Sequence, residues 1–169
     1  MKKAIVTGLL ILVFFLLETT WLEELHFISI TPNLLLFLTF VAGFTGGRKT
    51  GLLTGFFCGI LIDIFSEQVI GFNAIIYMYI GFLNGCFQSL FYVDDIKLPL
   101  ILLFASEILY GFYSYVFLFL LHRRLNIGDY FLYPVIPELV YTLVAAVLLY
   151  RPLLKIYHWL EKGSVRPGD

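Results

Sequence analysis

The sequence predicts an all-α integral membrane protein, a bundle of six transmembrane helices with no soluble domain. Three observations carry this. The 169 residues are 60% hydrophobic and only 14% charged, the mean hydropathy is +0.93, and long apolar runs alternate with short polar connections, a pattern outside the soluble globular range. A spanning helix needs about 20 mainly apolar residues. Roughly six such helices consume residues 1–150, leaving 151–169 as a tail.

Taken in order, the first run, 4–17, follows Met1-Lys2-Lys3, a start shared with secretory signals. No small-residue cleavage site follows Leu17; the chain reads Glu18-Thr19-Thr20-Trp21 instead, so the segment is retained as a span with Trp21 at its outer interface. Pro32 restarts the chain. The second run, 33–44, covers only ~18 Å as a helix and must borrow from its flanks or remain re-entrant.

The third run, 50–65, follows Gly46-Gly47-Arg48-Lys49, which reads as a tight turn facing the cytoplasm. Gly51, Gly55 and Gly59 recur every four residues and form one narrow ridge on a helix, where another backbone can approach closely. Asp63 continues that ridge, so it faces neighbouring helices and not lipid, where a carboxylate is costly. Gly81 and Gly85, also four apart, are the natural internal partners of the ridge. They lie in the fourth run, 71–91, whose Asn73, Tyr77, Gly81, Asn84 and Gln88 share one face.

The fifth run begins at Pro99, tolerated in a first helical turn, and continues to about 121, carrying Glu107, Tyr110, Gly111 and Ser114 on one face. Pro134 and Pro137 kink or delay the start of the sixth run, 130–150, which carries Glu138, Tyr141, Thr142 and Ala145. Three polar faces, on the fourth, fifth and sixth runs, are therefore expected to meet, with Glu107 near mid-depth and Asp63 and Glu138 nearer the outside. Beyond Arg151-Pro152 apolar and charged residues alternate, which predicts a short amphipathic helix on the inner surface.

Charge sets the orientation. With six spans, Lys2, Lys3, Arg48, Lys49, Lys97, Arg151, Lys155, Lys162 and Arg166 fall on one side and only Arg123 and Arg124 on the other. The positive-inside rule then places both termini in the cytoplasm. The basic residues are spread by topology and form no patch for nucleic acid. Cys58 and Cys86 fall inside spans without metal-ligand spacing. No Walker loop, H-E-x-x-H or G-x-S-x-G sequence is present, so no catalytic residue, metal or cofactor is expected. The intramembrane polar groups Asn73, Asn84, Glu107 and Glu138 have two readings. They either hydrogen-bond between helices, at about 0.6 kcal/mol each, or surround an outward-opening cavity, which the expense of buried carboxylates favours. Arg48-Lys49 serves topology, with anionic lipid or a cytoplasmic partner as a second use.

The segments Thr31-Pro32-Asn33-Leu34-Leu35-Leu36, Gly46-Gly47-Arg48-Lys49-Thr50-Gly51, Gly55, Gly59-Ile60-Leu61-Ile62-Asp63 and Gly71-Phe72-Asn73-Ala74 together resemble the MreD family of rod shape-determining proteins. The resemblance implies a non-enzymatic scaffold in the bacterial inner membrane. It would bind the single-span protein MreC and help couple MreB filaments to peptidoglycan synthesis, with RodZ, the RodA glycosyltransferase and a penicillin-binding transpeptidase in the wider complex. That family in turn resembles, in fold, the S components of energy-coupling-factor vitamin transporters. This yields the rival reading: a ligand held by Asn73, Glu107 and Glu138, with Ala4-x-x-x-Gly8 gripping a coupling protein. A lipid-modifying enzyme using Glu107 or Glu138 is a third reading.

Overall fold

A computed structural model describes residues 2–21, 32–65, 70–90, 97–122, 128 and 131–162. The described residues form five α-helices and no strand: α1 Lys2–Leu16, α2 Leu34–Phe65, α3 Phe72–Cys86, α4 Lys97–His122 and α5 Ile136–Lys162. Wider π-type turns extend α1 through Leu17–Trp21 and precede α5 at Phe131–Val135. The second of these contains Pro134, whose nitrogen can donate no backbone hydrogen bond.

The runs expected as second and third spans are joined in α2. Gly47 alone interrupts the helical backbone, with φ 83° and ψ −178°. That left-handed φ suits glycine and strains other residues. The chain doubles back there: a Cβ placed on Gly51 would lie 2.6 Å from Gly43 Cα, although eight residues of straight helix would separate the two by about 12 Å. The first limb, 34–46, is the centre of the molecule, and every residue from Leu34 to Thr45 is buried.

The second limb lies on α3, and the glycines fix the spacing. Added Cβ atoms would run from Gly51 into the Gly81 carbonyl, from Gly55 into the Tyr77 carbonyl, from Gly59 into Ala74 Cα, and from Gly85 into Arg48 at 2.5 Å. The ridge thus meets a partner in its own chain. Backbones this close gain dispersion contacts that larger side chains would prevent.

α4 and α5 are long and apolar enough to cross a bilayer, over Lys97–Phe117 and Ile136–Tyr157, while α1 and α3 are shorter apolar helices. α5 does not stop at Tyr150, where a separate tail helix was expected. It continues through Pro152 to Lys162, with Leu153, Leu154 and Tyr157 buried in the core. Tyr157 has Cys58 of α2 and Thr7 of α1 as polar neighbours, so this stretch packs on the bundle. Outward faces are as apolar as the core: Leu9, Phe57, Tyr79, Phe112 and Leu148 are all exposed. Exposed apolar surface on this scale marks a lipid-facing exterior.

Replacing Gly59 by Leu forces Ala74 away and separates α2 from α3; overpacking of this kind costs about 1–3 kcal/mol or more. Gly8, with nothing within 4 Å of an added Cβ, is the control. The expected outcome is a lowered melting temperature and loss of monodispersity in detergent for Gly59→Leu, and wild-type behaviour for Gly8→Leu.

Candidate functional site

The start of α2 lies inside the bundle, where its first backbone N–H groups lack intrahelical acceptors and find little water. Each has a partner. Leu34 N–H donates to the Pro32 carbonyl (3.0 Å) and Phe37 N–H to the Asn33 carbonyl (3.1 Å). Leu36 N–H donates to Asn33 Oδ1 (3.0 Å), as in a helix N-cap, and Leu35 N–H to Glu18 Oε2 (3.1 Å). A carboxylate at this position also complements the positive end of the helix dipole.

Asn33 is the hub. Its own N–H donates to Thr142 Oγ1 (2.9 Å) and its Nδ2 to Glu138 Oε1 (3.2 Å). Tyr77 donates its hydroxyl to Asn33 Oδ1 at 2.6 Å. One residue thereby connects α2, α3 and α5. Glu107 of α4 completes the cluster, with Glu138, Thr142 and Glu18 as electrostatic neighbours. It is 3% exposed, and its Oε1 has no hydrogen-bond partner.

A second polar knot secures the start of α3, where Gly71 (φ 99°) offers no capping side chain. Asp63 reaches across from α2. Its Oδ2 accepts from Gly71 N–H (2.8 Å) and Ala74 N–H (3.1 Å), and its Oδ1 from the backbone N–H (2.9 Å) and Nδ2 (3.0 Å) of Asn73. Tyr110 of α4 then donates to Asn73 Oδ1 (3.2 Å). The Tyr77 and Tyr110 rings meet edge to face, 5.7 Å between centroids, so the two knots adjoin.

The remaining expected residues are placed as follows. Asn84 Nδ2 donates to Ser106 Oγ (2.8 Å) and the Ile80 carbonyl (2.9 Å), tying α3 to α4. Gln88 Nε2 donates to the Thr45 carbonyl (2.9 Å) beside the hairpin turn. Arg48 and Lys49 stand exposed at that turn. Gly51, Gly55, Gly59, Gly81 and Gly85 serve the α2–α3 contact, Gly55 and Gly59 against the backbone of Tyr77 and of Asn73 and Ala74.

Two participants, Glu18 and Ser106, are absent from the expected set, and Asn33 stood there only as part of a family pattern. Glu18 continues the spacing of the buried Leu10, Ile11 and Phe14, which is the signal that could have found it. Because α1 is apolar on every side, that spacing has no contrasting face against which to be read.

Among the described residues no group of His, Cys, Asp and Glu could hold a metal ion. The chemistry is that of hydrogen-bonded helix ends and close backbone packing, which defines the class: an α-helical membrane protein whose polar side chains hold its own helices together. A scan of protein families then matches residues 2–160 to the rod shape-determining protein MreD, and the chain belongs to that family. Comparison with curated proteins and with solved structures returned no match. Membership assigns the protein to the determination of rod cell shape, within a family that is a shape-determination component and not a known enzyme family.

Asn33→Ala should lower stability by about 2 kcal/mol, the cost of a lost cap together with unpartnered buried groups. Asp63→Ala should cost at least as much, because three N–H groups lose their acceptor. Glu107→Met should be neutral or stabilising, since an unpartnered buried oxygen is removed. Thermal denaturation of the three purified proteins in one detergent checks the order.

Proposed function

We propose that this protein is a non-enzymatic scaffold of the elongation machinery, presenting its lipid-facing surface to the transmembrane helix and juxtamembrane segment of MreC. The observation that carries this reading is the pairing of a core closed by its own side chains with an exterior of exposed apolar residues on every helix. Contact through that exterior is the means of action such a molecule has. MreB, RodZ, RodA and the transpeptidase belong to the wider assembly.

The proposed topology is six spans in a bacterial inner membrane, with the two limbs of α2 counted separately and both termini in the cytoplasm. Two features support it. The exposed basic side chains Arg48, Lys49, Lys97, Arg151 and Lys155 gather at the hairpin-turn end, whereas Glu18, Asp63 and Glu138 lie toward the other. The segregation agrees with the positive-inside rule.

Expressed together, the protein and MreC should co-purify in mild detergent, and a deletion strain should lose its rod shape and its pattern of wall synthesis. Rods of normal width in the deletion strain would refute the role. Single cysteines at Lys49 and Gly163 should both be labelled only from the cytoplasmic side; labelling from opposite sides would refute the topology.

A further inference from the structure

Three carboxyl groups meet beside the start of α2. Glu18 beyond the end of α1, Glu107 of α4 and Glu138 of α5 are electrostatic neighbours of one another. The chain supplies few donors among them. Leu35 N–H serves Glu18 Oε2 and Asn33 Nδ2 serves Glu138 Oε1, while the Thr142 hydroxyl donates to the backbone carbonyl of Glu138. Glu107, almost wholly buried, is left with Oε1 enclosed and without a hydrogen-bond partner.

Acidic groups inside a membrane bundle are expensive and mark places where something else is bound. The polar neighbours of these three are the Leu34 and Leu35 N–H groups, Asn33, Thr142 and one another, and none of them is a cation. Nor do the described residues form a group that could hold a metal ion. What the cluster lacks is an organic cation with several N–H groups. A guanidinium has five, in a planar fork that matches carboxylates.

The cluster is open toward one side. Glu18 and Glu138 are partly exposed, and among the described residues the backbones of α1 and α5 barely meet. Side chains bridge the seam between them, Glu18 with Glu138 at this end and Thr7 with Tyr157 at the other. An arginine from a helix laid along this seam would keep its apolar stem against the bundle and its charged head at the carboxyl groups. Resting on the scaffold reading above, we propose that the docked partner's transmembrane helix lies along the seam between α1 and α5 and places an arginine side chain among Glu18, Glu107 and Glu138. Charge complementarity then selects the partner and fixes its register.

The test is the affinity of the full chain for full-length MreC, both purified in one detergent, measured by bio-layer interferometry. Glu107→Gln and Glu138→Gln keep the shape of the side chain and an acceptor oxygen, and each should weaken binding about tenfold. Glu107→Gln should melt at or above the wild-type temperature, because the isolated chain gives that carboxyl no counter-charge to lose. In MreC, one arginine-to-glutamine substitution in the transmembrane helix should produce the same loss and add nothing to that of Glu107→Gln. Wild-type affinity in both glutamine variants, or no arginine in MreC with that effect, overturns the proposal and leaves the scaffold reading standing. Absence of binding by the wild-type protein overturns both. A lowered melting temperature for Glu107→Gln in the absence of MreC would show that the chain already supplies the counter-charge, and would overturn the proposal alone.

Discussion

The structure depends on satisfying backbone N–H groups at the start of a helix whose end is buried within the bundle. The first limb of α2 is almost wholly apolar and wholly buried, so its end must be closed by side chains brought from elsewhere in the chain. Asn33 accepts that task locally. Glu18 and Thr142 arrive from α1 and α5, and Tyr77 and Glu138 are drawn in behind them. Four elements converge because one helix end needs partners where water is scarce.

The same requirement recurs at the start of α3, and there a single carboxylate meets it. Asp63 can cap from another helix because the glycine ridge allows α2 and α3 to approach to backbone contact. Had the ridge carried larger side chains, Asp63 would stand too far from Asn73 to bond it. Packing and capping are in this sense one device: Gly51, Gly55 and Gly59 set the distance, and Asp63 uses it. At the opposite end Gln88 performs the complementary service for a carbonyl, that of Thr45 beside the turn at Gly47.

A bundle that spends its polar groups internally has its outer surface left for work. Membership of the MreD family places that work in rod-shape determination.

Much of this was legible in the sequence. The apolar runs are helices, the turn at Gly46-Gly47 is a turn, Asn73, Tyr77, Asn84, Glu107, Ser114 and Thr142 are buried while Gln88 of the same fourth-run face is exposed, and the glycines spaced by four lie against backbone. Local rules suffice for these, since a four-residue period places glycines on one face whatever surrounds the helix. The sequence alone did not reveal that Glu18 would enter the core, that Asn84 would choose Ser106, or that α5 would continue through Pro152 onto the bundle. In helices apolar on all sides, hydropathy carries no phase, and nothing local distinguishes the side toward protein from the side toward lipid. Those choices were made by tertiary packing, because a buried hydrogen bond between residues such as Asn33 and Thr142 exists only after their helices have been brought together.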